Sequence, residues 1–184
     1  MNTIEAICQI ANELKLKKVC VCRIDYSVDD SVTEMEMRFP LFHRGNVDYT
    51  FIDVNECMDS ILSNMALNGY VANSQIVLDN GAFAHLPMMD FKCEVNNENT
   101  EEVIRSLHLL HIEKGYLLNS GSSYHFIGSE PLSENDYKVV LYRSFLLAPF
   151  TDGRWIAHQL INGSSNLRMG AKDGIIPEVI KYLV

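Results

Sequence analysis

Acidic, basic and apolar side chains alternate along residues 85–95, in the run HLPMMDFKCEV. On an extended strand Asp90, Lys92 and Glu94 point to one face, because successive side chains alternate between the two faces. Carboxylates held on a rigid strand suit Mg²⁺ or Mn²⁺, which prefer oxygen ligands. A solvated strand face on which Lys92 pairs with its neighbours is the alternative interpretation. The segment offers Asp90 and Glu94 as candidate metal ligands, but on its own it favours the solvated strand face.

A serine and a histidine follow a turn of small residues in the run NSGSSYHFI, residues 119–127. Ser123 and His125 are two positions apart, so on a strand they share a face. Small residues let backbone N–H groups approach an anion, and an imidazole adds a donor that can become charged. The pattern predicts a phosphate-binding turn, with a histidine packed in an ordinary hairpin as the alternative.

The third candidate segment begins at Asp152, which precedes the amphipathic run GRWIAHQLI. Asp152 is expected to cap a helix, which by itself explains an aspartate at this position. Further on, Arg168 and Lys172 flank a glycine and could hold phosphates, the first as a planar fork and the second as a point charge. Trp155 is expected to be a core residue and not a stacking platform for a base.

The elements that must position these residues follow from hydrophobic periodicity and from capping and turn residues. Their order is that of an α+β protein with a mixed or antiparallel sheet packed by helices. Helices are predicted over residues 3–17, from a cap at Asn55 to about residue 68, over about 100–113, over about 134–147, and after Asp152 as far as Gly163. Strands are predicted over 18–25, 33–39, 48–53 and 82–95, with a hairpin over 115–128 and a strand and a last apolar element in the tail.

The composition is that of an ordinary globular protein of 184 residues, with 47% hydrophobic and 21% charged residues. This length fits one domain, 1–184. Five scattered cysteines argue against a disulfide framework, and Cys20 and Cys22 are expected to be buried thiols. The N-terminal run lacks the layout of a signal peptide, and no apolar stretch is long enough to span a membrane. A cytoplasmic location without membrane contact is therefore expected.

The net charge of −9 is unevenly distributed. Residues 111–184 hold seven basic and seven acidic residues, so the whole excess of negative charge lies in residues 1–110. An acidic N-terminal half disfavours unspecific binding to nucleic acid or to an anionic membrane. It leaves room for a local basic groove in the C-terminal half.

Taken in order, the segments MMDFKCEV, SGSSYHFIG, TDGRWIAHQL and NLRMGAKDG resemble the archaeo-eukaryotic primase superfamily. That family has a strand-borne acidic motif, then a helix and a hairpin bearing Ser-x-His, and then a third acid. The resemblance covers about residues 80–184 and implies an RRM-like primase-type core there. Residues 1–79 would be an N-terminal α/β part of unknown role.

The resemblance implies roles for particular residues, with Mg²⁺ or Mn²⁺ as the cofactor. Asp152 is the best match for the third acid, and Glu134 and Asp136 are alternatives. The implied catalytic residues are Asp90, His125 and Asp152, the nucleotide-binding residues are Ser123, His125, Arg168 and Lys172, and the metal ligands are Asp90, Glu94 and Asp152.

One departure from the family pattern concerns the second acid of the first motif. The family has acid-x-acid, whereas this chain has Asp90-Phe-Lys92, and an ammonium repels a cation that a carboxylate would hold.

Two hypotheses about the function follow. The first is a primase-like nucleotidyltransferase that makes or extends primers in DNA replication or repair, binding a nucleoside triphosphate and single-stranded or primed nucleic acid. The second is a catalytically degenerate module that binds nucleic acid or a protein partner, and an unrelated α+β protein is a further possibility.

Overall fold

The computed structural model describes residues 1–24 and 47–184, so the strand expected over 33–39 lies outside the described residues. The described parts contain helices and strands in α+β order, as predicted. The helices are α1 (Thr3–Glu13), α2 (Met58–Leu67), α3 (Asn97–Leu109), α4 (Glu134–Ser144) and α5 (Gly153–Asn162). The strands are β1 (Lys18–Ile24), β2 (Val47–Asp53), β3 (Val71–Val77), β4 (Phe83–His85), β5 (Met88–Asp90), β6 (Gly115–Asn119), β7 (Tyr124–Gly128), β8 (Asn166–Arg168) and β9 (Glu178–Leu183).

The strands form two sheets, and every pairing between described strands is antiparallel. The first sheet has the order β2-β1-β3-β4, and β8 pairs with the part of β3 that β4 leaves free. The second sheet has the order β5-β7-β6-β9. The first sheet therefore combines strands from the beginning, the middle and the end of the chain.

The described residues form two hydrophobic cores, and the second sheet contributes side chains to both of them. In the first core, Ile7 and Ile10 of α1 and Leu62 of α2 pack against the apolar face of the first sheet. In the second, Leu107 of α3 and Leu141 of α4 pack against the second sheet. Cys20 and Cys22 lie on the other face of β1 and are buried thiols, as predicted. No helix in the described ranges combines the length and the apolar character needed to cross a membrane.

The helix ends near the C-terminus follow local signals in the sequence. The Ser133 hydroxyl accepts a hydrogen bond from the backbone N–H of Asp136 and caps α4, which begins at residue 134 as predicted. Asp152 begins α5, and Gly163 ends it with a φ of 70°. The prediction for α3 was less accurate, because the helix begins at residue 97 with Asn96 as its cap. The cap expected at Asn55 is wrong, since α2 begins after Cys57, which makes no side-chain capping bond.

The long strand expected over residues 82–95 is interrupted and ends early. It consists of β4 and β5, separated by Leu86 and Pro87, and β5 ends at Asp90. Beyond this point the chain pairs with a later segment: Phe91 forms a bridge with Thr151, and the Lys92 N–H donates to the Phe150 carbonyl at 2.6 Å. Asp90 and Glu94 therefore do not share the face of one continuous strand.

Candidate active site

A cleft of about 790 Å³ opens where the two sheets meet, at the point where β5 of the second sheet lies beside β8 of the first. This volume is within the usual range for small-molecule sites, roughly 300–1,000 Å³. The walls come from the segment after β5, the turn before β7, α5, β8 and the loop after β8. The lining includes Asp90, Lys92, Glu94, Ser120, Ser123, His125, Asp152, Trp155, Gln159, Asn166, Arg168 and Lys172.

All seven residues proposed from the sequence as catalytic, nucleotide-binding or metal-binding line this one cleft. The two alternatives to Asp152 have other partners. Glu134 binds the His85 imidazole at 2.8 Å and the Lys138 ammonium at 2.7 Å, and Asp136 lies in the capping turn of Ser133. Of the three candidates for the third acid, the structure brings Asp152 to the cleft.

Asp90 and His125 face each other across neighbouring strands. They are register partners in β5 and β7, and the Nε2 atom of His125 lies 3.8 Å from Oδ1 of Asp90. This distance is too long for a direct hydrogen bond. The His125 side chain is 9% exposed, and its Nδ1 has no hydrogen-bond partner among the described residues. The imidazole thus reaches the cleft with both ring nitrogens free of strong partners.

Burial determines the charge of both residues. Burial, followed by the positive charge of Arg168, lowers the pKa of His125 to about 3, so the imidazole is neutral at physiological pH. Burial, followed by the carboxylate of Asp152, raises the pKa of Asp90 to about 7, against the opposing effect of Arg168 and Lys172. Because His125 is neutral, its contact with Asp90 is not an ion pair.

Asp152 reaches the cleft because the chain before α5 pairs with the chain after β5. The Asp152 N–H lies 3.5 Å from the carbonyl oxygen of Asp90, next to the Phe91–Thr151 bridge. Its side chain caps α5, with Oδ1 accepting from the N–H groups of Arg154 and Trp155. The capping role suggested by the sequence is therefore real, and Oδ2 is the oxygen that takes no part in it.

The carboxylates fit one divalent cation better than two. The repulsion that raises the pKa of Asp90 comes from Asp152, and a cation between two such carboxylates would offset it. Mg²⁺ is commonly held by one or two carboxylates together with substrate phosphates and water. In the described parts of the chain no three His, Cys, Asp or Glu side chains form a group that could hold a metal. Glu94, which is exposed beyond the end of β5, therefore does not complete a cluster with the two aspartates.

Ser123 uses its hydroxyl to hold the adjacent segment. The hydroxyl donates to the carbonyl of Phe91 and accepts from the N–H of Cys93 at 3.3 Å. These bonds fix the segment that follows Asp90 against the start of β7. The phosphate contact predicted for Ser123 would accordingly have to come from the backbone of the small-residue turn, because the hydroxyl already has two partners.

Arg168 binds the backbone of two loops. Its Nη1 donates to the carbonyls of Gly170 at 2.8 Å and Ile175 at 2.6 Å, and its Nη2 donates to the carbonyl of Ser120 at 2.6 Å. A guanidinium has five N–H donors, so two remain for a ligand. Arg168 therefore joins the loop after β8 to the turn before β7 and contributes positive charge. Lys172 lies on that loop as an exposed cation at the rim of the cleft.

The lining residues that were not proposed for the site from the sequence include Trp155, Gln159 and Asn166. Trp155 was expected to lie in the core, and it is half-buried: it packs against both hydrophobic cores and also lines the cleft. Its Nε1 donates to the Asn166 carbonyl at 3.3 Å, and the Gln159 Oε1 accepts the Asn166 N–H at 3.1 Å. One signal was present in the sequence, because Trp155 and Gln159 are four apart on a helix and so share a face.

Comparison with known proteins gives a family match over most of the chain. A family model described as AEP-like, archaeo-eukaryotic primase 1D-like, matches residues 55–181. The match begins well before residue 80, where the resemblance read from the sequence begins. No curated protein and no solved structure matches the chain.

Proposed function

Because the chain belongs to the archaeo-eukaryotic primase-like family, we propose that its cleft binds a nucleoside triphosphate together with one divalent cation. The observation that carries the proposal is the meeting of Asp90, His125, Asp152 and Lys172 in one cleft. These residues come from four separate segments of the chain. Two carboxylates, a neutral imidazole and a cation in one cleft match the charge pattern of a metal–triphosphate complex.

Asp90 and Asp152 are the residues that would hold the cation, Mg²⁺ or Mn²⁺. The ion would neutralise charge on the phosphates as the transferred group moves. The protein's own contribution is to keep both carboxylates next to each other and ionised when the ion is present. Asp90 has a pKa near 7, so its proton is lost readily at physiological pH when a cation approaches.

The opposite wall offers groups that bind phosphate oxygens. Lys172 supplies an exposed ammonium, and Arg168 supplies charge and its two remaining donors. The turn at residues 120–123 is built of serines and one glycine, whose backbone can approach an anion closely. His125 is neutral and so presents one ring N–H to an acceptor without adding charge.

The reaction that this arrangement would serve is nucleotidyl transfer to a primer 3′ hydroxyl, with single-stranded or primed nucleic acid as the second partner. Primer synthesis or extension in DNA replication or repair would be its setting. The acidic N-terminal half confines favourable contacts with nucleic acid to the C-terminal half, which supplies Arg168 and Lys172 to the cleft.

Lys92 supports a second candidate function. It is exposed and lines the cleft two residues beyond Asp90, where the family pattern has a second acid. An ammonium there disfavours a second metal ion, and transfer by two metals needs both. A catalytically degenerate module, which binds nucleotide or nucleic acid without polymerising, is the function that this observation favours.

Isothermal titration tests the binding proposal. ATP or GTP with Mn²⁺ should bind the wild type, and Lys172→Gln should weaken binding about tenfold through the loss of one phosphate contact. Lys114→Gln is the matched control, because Lys114 is an exposed lysine that pairs with Glu130 outside the cleft. The absence of heat of binding with either nucleotide, or equal weakening by both substitutions, would overturn the proposal.

A primer-extension assay separates the two candidate functions. Product made by the wild type and lost in Asp90→Asn and in Asp152→Asn would establish transfer. Nucleotide binding without product would favour the degenerate module. Lys92→Asp, which restores the acid-x-acid pattern, is then the informative variant, and a gain of product in it would identify Lys92 as the cause of inactivity.

A further inference from the structure

The wall of the cleft formed by Trp155 and Asn166 has a hydrogen-bonding pattern that the triphosphate proposal does not use. Asn166 is 7% exposed and lies on β8 two residues before Arg168, so the two side chains share a strand face. The residue between them, Leu167, points into the first core on the opposite face. Asn166 therefore faces the cleft, and its Nδ2 has no hydrogen-bond partner among the described residues.

The orientation of the Asn166 amide is fixed by a chain of contacts that begins at the backbone. The N–H of Gln75 donates to Oδ1 of Asn73 at 3.0 Å, which turns the Asn73 Nδ2 towards Asn166. That Nδ2 donates to Oδ1 of Asn166 at 2.7 Å, and the Cys22 thiol donates to the same oxygen at 2.9 Å. Rotating the Asn166 amide would set two N–H groups against each other. The Nδ2 atom of Asn166 is therefore the amide atom that has no hydrogen-bond partner among the described residues.

The side-chain amide of Gln159 is oriented in a similar way, with its oxygen bonded and one N–H unused. Oε1 of Gln159 accepts the Asn166 N–H at 3.1 Å, and its Nε2 donates to the Trp155 carbonyl at 3.0 Å. One N–H of Gln159 remains, whereas the side-chain oxygens of both Gln159 and Asn166 already have donors. This wall therefore offers two unused amide N–H groups, and the Asn166 side-chain oxygen, which already accepts two hydrogen bonds, has no lone pair left for a ligand. A buried N–H without a partner destabilises the protein, and a ligand carbonyl that accepts it removes this cost.

The half-buried indole of Trp155 adds an aromatic surface beside these donors, held by its bond to the Asn166 carbonyl. An aromatic ring next to directed donors suits a planar heterocycle that carries a carbonyl. The strand β8 also lies beside β5, which carries Asp90, so a ligand bound at Asp90 can extend to Asn166.

We infer that this wall is a nucleobase subsite that prefers a keto base, with a carbonyl at position 6 of a purine or position 4 of a pyrimidine, over the corresponding amino base. The inference rests on the proposed triphosphate binding. GTP and UTP bind more tightly than ATP and CTP, since a carbonyl accepts the free N–H of Asn166, whereas an exocyclic amino group sets a second donor against it. The expected ratio is about tenfold, the effect of one hydrogen bond to a buried donor.

Titration of the wild-type protein with GTP, ITP, UTP, ATP, CTP and tripolyphosphate, each with Mn²⁺, tests the inference. ITP and ATP form the sharpest pair, because they share the purine frame and differ in the group at position 6. About tenfold tighter binding of ITP and GTP than of ATP supports the subsite. Equal binding of all five nucleotides and of tripolyphosphate overturns the nucleobase subsite but supports the triphosphate site. The absence of binding by every probe, tripolyphosphate included, overturns the proposed function itself.

Two variants locate the effect. Asn166→Ala should reduce the ratio of ITP to ATP affinity to about one without changing the affinity for tripolyphosphate. Asn162→Ala is the matched control, because Asn162 also has a buried Nδ2 without a partner among the described residues but does not line the cleft. A ratio that survives in Asn166→Ala, or disappears equally in Asn162→Ala, overturns the assignment. The wild-type comparison of ITP with ATP decides the matter if Asn166→Ala does not fold.

Discussion

The imidazole of His125 lies 3.8 Å from the carboxylate of Asp90, and the fold shifts the pKa values of the two side chains in opposite directions. Asp90 holds its proton up to about pH 7, whereas an unfolded aspartate releases it near 3.8. His125 stays neutral down to about pH 3, whereas an unfolded histidine is protonated below 6.5. Between about pH 4 and 6.5, acidification therefore favours the folded state through Asp90 and disfavours it through His125.

Replacing the carboxylate isolates one of these two effects. Asp90→Asn should raise the free energy of unfolding at pH 8 by about 1–3 kcal/mol, because the wild type must keep a half-buried carboxylate ionised there beside Asp152. The gain should disappear by pH 4, where the folded wild type is protonated at this position. Urea unfolding at the two pH values measures it. Asp79→Asn, at an exposed aspartate, is the control, and a gain that persists at pH 4 would contradict the pKa assignment.

Replacing the imidazole has the opposite dependence on pH. His125→Gln removes a group that resists protonation in the fold, so its stability relative to the wild type should improve as the pH falls from 6.5 to 4. The slope approaches about 1.4 kcal/mol per pH unit. Thermal unfolding across this range checks it against His108→Gln, a substitution at an exposed histidine. A flat difference between His125→Gln and the wild type would show that His125 titrates normally.

Much of the local structure was predictable because its signals are local. The caps at Ser133 and Asp152, the hairpin before Gly128 and the end of α5 at Gly163 each depend on residues within a few positions of one another. The end of β5 at Asp90 was not predictable, because the chain there pairs with residues 150–152, which lie far along the sequence.

In the candidate site, too, features that depend on nearby residues were predictable, and features that depend on distant residues were not. Short motifs, read through the family resemblance, were enough to name Asp90, His125 and Asp152 as candidates, and all three line the cleft. The bonds of Arg168 were not foreseen, because the carbonyl of Ser120 is 48 residues away in the sequence. The strand β3 gave little signal, since its buried Asn73 and Ser74 interrupt the hydrophobic pattern and find their partners in residues 164–166. The cleft wall at Asn166 was missed for the same reason.

From the bonds of Arg168 we predict that substitutions of Arg168 and Lys172 change the free energy of unfolding by very different amounts. Arg168→Lys should lower the free energy of unfolding by about 2–4 kcal/mol, because a single ammonium cannot reach three carbonyls in two loops. Lys172→Gln should change it by no more than about 0.5 kcal/mol, since Lys172 is exposed. Both substitutions should weaken triphosphate binding. Thermal unfolding compares the two, and similar stabilities would contradict the structural role of Arg168.

A buried network outside the cleft predicts a change in stability without a change in binding. Ser74 accepts the Ser165 N–H at 2.9 Å and bonds to Nδ1 of His85 at 3.0 Å, and its side chain is fully buried. Ser74→Ala should cost about 1–3 kcal/mol, because it leaves these groups without a partner. Ser63→Ala, at an exposed serine of α2, is the control in chemical denaturation. Nucleotide affinity should be unchanged, and a loss of affinity would link this network to the cleft.

The pairing of β3 with β8 has a consequence for synthesis of the chain on the ribosome. Asn73 and Asn166 are 93 residues apart, so the first half of β3 has an unpaired edge until the last part of the chain has emerged. Exposed strand edges are templates for aggregation, and contacts between distant residues form slowly. Residues 166–168 both cover this edge and line the cleft, so a nascent chain completes the cleft when it loses this exposed edge.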